Sequence, residues 1–87
     1  MTHDSPHDSA RRKRLLWRAT HRGIKEMDLL LGGYVGAHLA TLSAADLDVL
    51  ETIIEIPDQT LLSWATRQEA IPVDAPPLLK AILNHRP

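Results

Sequence analysis

Residues 43–57 read SAADLDVLETIIEIP, and this stretch decides the fold class. Ser43 precedes the first apolar-periodic residue and Asp46 follows three positions later. That is a shortened capping box, in which each side chain satisfies a backbone N–H left without a partner by the first helical turn. Leu47, Leu50, Ile53 and Ile54 recur at spacings of three and four, so they share one helical face, with Val49 at its margin. Asp48, Glu51 and Glu55 fall off that stripe and are expected to face water. Pro57 stops the helix, because its ring excludes a continuing backbone bond.

Downstream, Asp58 is expected to cap a short fourth helix, Gln59 to about Gln68, that buries Leu61, Leu62 and Trp64. Pro72, Pro76 and Pro77 punctuate a loop. A fifth helix should run from Pro76 or Pro77 to Asn84 and carry Leu78, Leu79, Ile82 and Leu83. Upstream, Ile24, Met27, Leu31, Tyr34, Val35 and His38 mark the buried stripe of a helix covering about Ile24 to Ala40. Gly32, Gly33 and Gly36 lie inside it, each costing up to ~1 kcal/mol relative to Ala. Gly32 and Gly36 share a face that suits close helix packing. The first helix should run from about Ala10 to Thr20, with Ser9 as N-cap, Leu15 and Trp17 as its main apolar groups, and Gly23 ending it in a left-handed conformation. Trp17 and Trp64 both fall among apolar neighbours and are assigned to the core. Period-two alternation rich in β-branched residues is missing throughout. The expected fold is all-α, a small five-helix bundle, with residues 1–9 as a flexible tail and 10–87 as a single domain.

Composition narrows the function classes. The chain has 87 residues, 44% hydrophobic and 24% charged, so it holds one small globular domain. It has no cysteine, which removes disulfides, thiolate zinc sites, iron–sulfur clusters and a cysteine nucleophile. Met1 to Ser9 carries acids and no apolar run, and is read as neither a secretory signal nor a transit peptide. No apolar stretch approaches the ~20 residues of a membrane span, so no membrane insertion is expected. The expected compartment is the bacterial cytoplasm. Charge is bipolar: residues 1–26 hold seven Lys and Arg against three acids, and residues 27–87 hold three against eight. Such a chain can steer an oriented encounter, while Arg11 to Arg14 also reads as a solvated helix start. A pI near 6.5 and only three aromatics argue against nucleic acid as a partner.

No catalytic constellation emerges. His3 and His7 lie in the tail without further ligands, His38 falls on the apolar stripe as a core histidine, and His85 lies near the terminus. The glycines follow no strand, and no serine has a base–acid pairing beside it. No metal site and no cofactor of its own are expected.

The segment Arg22-Gly23-Ile24-Lys25-Glu26-Met27-Asp28 stands out. Local helix chemistry offers one account of it. Arg22 would complement the C-terminal dipole of the first helix, Gly23 would end that helix, and Glu26 and Asp28 would favour the start of the second. A functional account adds that a glycine corner flanked by charges of both signs can press its backbone on a partner. Arg22, Lys25, Glu26 and Asp28 would then make directed polar contacts.

These residues carry a resemblance. Arg22-Gly23-Ile24-Lys25-Glu26 matches the RGxxE hallmark of the SdhE-type succinate dehydrogenase assembly (flavinylation) factors of bacteria and mitochondria, with an acidic residue, Asp28, two positions on. Trp17, Leu29-Leu30-Leu31, Leu42-Ser43, Glu55-Ile56-Pro57-Asp58 and Leu61-Leu62-x-Trp64 extend the similarity from about Arg11 to Trp64. His21 and Ile24 depart from it, where the family often has Arg and Met. The resemblance implies a compact five-helix domain that binds the flavoprotein subunit of succinate dehydrogenase, and in some bacteria of fumarate reductase. It implies that the domain promotes the covalent bond between FAD, held by that subunit, and one of the subunit's histidines. It further implies that Gly23 permits close backbone approach, that Glu26 makes a polar contact, and that Arg22, Lys25 and Asp28 belong to the same partner-binding surface. A helper of this kind acts by positioning and is not itself an enzyme. A monomer is expected, since nothing resembles a coiled-coil seam.

Three rival readings differ in what they require. A helical adaptor without a flavin role would bind through the Gly32/Gly36 face and be indifferent to Glu26. A nucleic-acid binder would use Arg11 to Arg18 and weaken steeply with salt. An enzyme using His21 and Glu26 would need groups that a five-residue offset does not align on one helical face.

Overall fold

The sequence folds into five α-helices: α1 (Pro6–Thr20), α2 (Lys25–His38), α3 (Ala44–Ile54), α4 (Asp58–Ala65) and α5 (Pro77–Leu83). A 3-10 turn, Leu39–Thr41, follows α2. The structure, a computed structural model, describes residues 6–85, and no strand occurs among them. The expected all-α class and helix count therefore hold.

The third helix forms as its sequence dictates. Asp46 N–H donates to Ser43 Oγ at 3.0 Å and Ser43 N–H donates back to Asp46 Oδ2 at 3.2 Å, completing the capping box. Leu47, Leu50, Ile53 and Ile54 are all buried. They meet Leu15 and Ala19 of α1, Met27, Leu31 and Val35 of α2, Leu61 of α4, and Leu79, Ile82 and Leu83 of α5 in one core. Each such aliphatic side chain stabilises the fold by about 1.5–3 kcal/mol on burial. Pro77 opens α5 at its first position, where the missing N–H costs nothing.

Close approach of α1 to α2 depends on Gly32. A Cβ there would lie 2.8 Å from Thr20 Cγ2 and 3.0 Å from the Ala19 carbonyl oxygen. The expected use of the glycine face for helix packing is thus met at this residue. Gly36 would meet only Leu16 Cδ1, at 3.9 Å.

Several boundaries and side chains differ from expectation. α1 starts at Pro6, so Ser9 lies inside the helix and residues 6–9 of the expected tail are helical; residues 1–5 lie outside the described residues. Asp8 complements the new first turn and pairs with Arg12 Nε one turn on at 2.7 Å. Asp58 begins α4 without capping it, because its carboxylate is occupied elsewhere, and α4 ends at Ala65. Gly23 does not take a left-handed conformation. Arg67 does, with φ 65°, just past α4, where Gln68 N–H donates to the Ser63 carbonyl and Arg67 N–H to the Trp64 carbonyl. That pair of bonds is a Schellman closure.

Trp17 is not a core residue: it is 61% exposed and its ring stacks on His21 with centroids 4.2 Å apart. His38 is exposed as well, at the last turn of α2, with its ring 4.3 Å from that of half-buried Tyr34. Trp64 packs against the core while half-buried.

The basic cluster of the first helix is largely spent inside the molecule. Arg11 donates to Asp48 at 2.6 Å and to Glu51 at 3.0 Å, and Arg18 pairs with Glu55. Arg12 donates to the carbonyls of Leu39 and Leu42, closing the turn after α2. The acids expected to look outward from α3 therefore receive a ladder of arginines from α1. Of that stretch, Lys13 and Arg14 are exposed without an ion pair among the described residues.

Candidate functional site: the corner between α1 and α2

Residues 21–24 carry the chain from Thr20 to the first turn of α2. Ile24 is the N-cap of α2 and has no side chain able to accept a bond; its carbonyl receives Met27 N–H and Asp28 N–H at 3.0 and 3.1 Å. Asp28 reaches back across the corner instead, accepting Arg22 N–H at 2.6 Å. Asp28 and Glu26 both sit in the first turn, where negative charge is favoured by the helix dipole.

Arg22 turns inward. Its side chain is 10% exposed, and Nε donates to Asp58 Oδ1 at 2.6 Å. Its two terminal nitrogens donate to the carbonyls of Ile54 at 2.6 Å and Ile56 at 2.8 Å. The expectation that Arg22 complements a helix C-terminus is right in kind, but the helix is α3 and not α1. Pro57 forces α3 to stop, and the guanidinium takes up the carbonyls this leaves open. The other carboxylate oxygen of Asp58 receives Gly23 N–H at 3.4 Å. The corner is therefore pinned by charge-assisted bonds from α2 on one side and from the start of α4 on the other.

The remaining residues face out. Gly23, Lys25 and Glu26 are exposed. Neither Lys25 nor Glu26 has a hydrogen-bond or ion-pair partner among the described residues. Gly23 has a negative φ, and a Cβ there would find its nearest neighbour, Asp58 Oδ2, only at 4.0 Å. Leu29 is 55% exposed one turn beyond Lys25 and Glu26, on the same face of α2. The five residues singled out by sequence are thus contiguous but divided. Arg22 and Asp28 build the corner, and Gly23, Lys25 and Glu26 present it.

No pocket opens among the described residues, and no cluster of three ligating side chains occurs among them. His3 lies outside the described residues. His21 rests on Trp17, and His85 meets Tyr34 edge-on at 5.8 Å. The site is a surface. Exposed backbone at Gly23, a carboxylate without a counter-ion and the apolar side chain of Leu29 lie together on it.

A family model described as flavinator of succinate dehydrogenase matches residues 13–86, a span that includes the whole corner. The chain belongs to this flavinator family. Among its relatives, the FAD assembly factor SdhE of Acetobacter pasteurianus is 41% identical over 77 residues, covering 87% of this chain and 71% of that protein. The mitochondrial succinate dehydrogenase assembly factor 2 of Yarrowia lipolytica is 36% identical over 61 residues, covering 70% of this chain. The protein of the same name in Dictyostelium discoideum is 28% identical over 75 residues, covering 85% of this chain. The chain spans 42% of the first mitochondrial relative and 53% of the second. Seen within the family, its five helices all lie in or overlap the matched region. No helix among the described residues is long and apolar enough to cross a membrane.

Sequence reasoning missed Asp58 as part of this site. Its place at the start of the fourth helix reads as a helix cap, and nothing local indicates that Arg22, 36 residues earlier, takes its carboxylate. The exposure of Trp17 and Leu29 was equally hidden, since only the packing of α1 and α2 decides which apolar groups remain outside.

Proposed function

We propose that this chain is an assembly factor that binds the flavoprotein subunit of succinate dehydrogenase and promotes covalent attachment of FAD to a histidine of that subunit. One observation carries the reading: no backbone or packing demand requires a glycine at position 23, and apart from the general favour of the α2 dipole the Glu26 carboxylate has no partner. Gly23 has neither a positive φ nor a crowded Cβ position, and Glu26 is exposed without a partner. Both lie on a corner held by the half-buried Arg22–Asp58 ion pair and by the Asp28 carboxylate on the Arg22 N–H. Groups left without an internal hydrogen-bond partner, on an exposed element held by the bonds around it, suit a binding surface. The relatives, an FAD assembly factor and a succinate dehydrogenase assembly factor, support this choice of client.

The bond-forming chemistry belongs to the flavin and the flavoprotein that holds it. This chain contributes binding energy. By engaging the conformation in which histidine and flavin are aligned, it raises that conformation's population, and the rate rises through positioning alone. Gly23 allows the flavoprotein to approach the backbone, Glu26 makes a directed polar contact, Lys25 a second one, and Arg22 and Asp28 keep the corner in shape. The chain acts as a cytoplasmic monomer, and the fumarate reductase flavoprotein is a second client by the same logic.

The test mixes the protein with apo flavoprotein subunit and FAD and reads covalent flavin by fluorescence on a denaturing gel. The wild-type chain is expected to produce a fluorescent band that fades by roughly tenfold or more with Glu26→Ala, the loss of one charge-assisted contact. Equal bands with and without the protein would overturn the reading.

A further inference from the structure

We infer that Asp58, at the start of α4, is a positioning residue for the partner-binding corner. It is distinct from the residues that face the partner. The role rests on the functional reading above and extends it to a group 35 residues away in sequence from Gly23. One oxygen of its carboxylate takes Arg22 Nε at 2.6 Å and the other takes the Gly23 N–H at 3.4 Å. Asp58 thus holds both the side chain and the backbone of the two residues that form the corner. Arg22 in turn clasps the Ile54 and Ile56 carbonyls, so a single ion pair couples the end of α3, the start of α4 and the entry to α2. The pair is sheltered, with side chains 10% and 21% exposed, and water competes weakly for it.

The geometry separates two jobs. Asp28 fixes the corner from α2 by accepting Arg22 N–H, a bond local to one helix start. Asp58 fixes it from the other side, tying the Gly23 backbone to the start of α4 while Arg22 ties it to the end of α3. With a single acceptor at position 58, Arg22 keeps its two carbonyl partners and competes with the Gly23 N–H for the one remaining oxygen. Gly23 N–H is then left to solvent. The backbone that the partner must approach then samples several positions, and binding bears the cost of ordering it.

Asp58→Asn tests this, because it keeps shape and one acceptor while removing the charge. Arg22→Lys is the companion variant, since an ammonium cannot hold the carboxylate and both carbonyls at once. Each full-length variant is compared with wild type in three readouts: helical circular dichroism, the Gly23 amide resonance, and covalent flavin as a function of factor concentration. Both variants are expected to keep their helical signal, to shift the Gly23 amide, and to raise the half-saturating concentration by about tenfold or more. An Asp58→Asn chain with wild-type half-saturation overturns the role, whether or not the amide moves. A change in half-saturation with an unmoved Gly23 amide also overturns it, because the effect would not pass through the corner. A wild-type chain that fails to raise covalent flavin overturns the functional reading and this role with it.

Discussion

Arg22 Nε stands 2.6 Å from Asp58 Oδ1, joining the residue that leaves α1 to the first residue of α4. The consequence is a division of labour on one short segment. The Arg22 charge is consumed internally, while Gly23 and Glu26 remain exposed. Stability and recognition can therefore be perturbed separately, which makes the account testable.

Packing of α1 on α2 should be sensitive to the smallest enlargement of Gly32. Alanine has the better helix propensity by ~1 kcal/mol, yet its Cβ would fall 2.8 Å from Thr20 Cγ2 and 3.0 Å from a backbone oxygen. The clash is expected to win, with Gly32→Ala destabilising the fold by about 1–3 kcal/mol in urea denaturation. A stabilised variant would show that α1 moves away at little cost.

Arg67 invites the opposite change. It holds φ 65° in the Schellman closure of α4, a conformation that costs a residue bearing a Cβ about 1–2 kcal/mol. Arg67→Gly is expected to raise stability by about 1 kcal/mol, even though an exposed bond to Asn84 Oδ1 is lost. Thermal melts of the two chains decide it.

The arginine ladder between α1 and α3 makes stability depend on acid. The hydrogen bond from Arg11 holds the Glu51 carboxyl below its ordinary range. A carboxyl depressed in the folded state binds its proton first in the unfolded chain, so stability rises with pH. The contribution is fully present above the unfolded value, ~4.3, and is lost as pH falls through the lower folded value. The urea midpoint should drop less between pH 7 and pH 3 in Arg11→Ala than in wild type. Equal drops would mean that the pair contributes nothing.

How much of this was legible in the sequence follows from the range of the interactions. The capping box of α3 and its four buried aliphatics are local, within one helix, and are found where periodicity places them. Pro77 at the start of α5 is equally local. Trp17 fails because an apolar residue among arginines looks like part of a stripe, whereas the stripe of α1 is completed by Leu15 and Ala19 and leaves the indole outside. Gly23 misses its expected left-handed conformation for a related reason. A glycine after a helix suggests a left-handed closure, but Asp28 and Asp58 hold that corner with carboxylates, and the left-handed residue after α4 is an arginine that no local pattern would nominate. The segment from Arg22 to Asp28 was conspicuous in sequence, and its division into buried and exposed members required the partners contributed by α3 and α4.

The most direct test of the central claim is the yield of covalent flavin on apo succinate dehydrogenase flavoprotein with Gly23→Arg, measured beside the thermal melt of the same variant. Because Gly23 has a negative φ and open space around its Cβ position, the melt is expected to stay within about 0.5 kcal/mol of wild type, while covalent flavin falls to the level without factor. A variant that melts normally and still delivers wild-type flavin would contradict the account, for the partner would then not approach the chain at this corner.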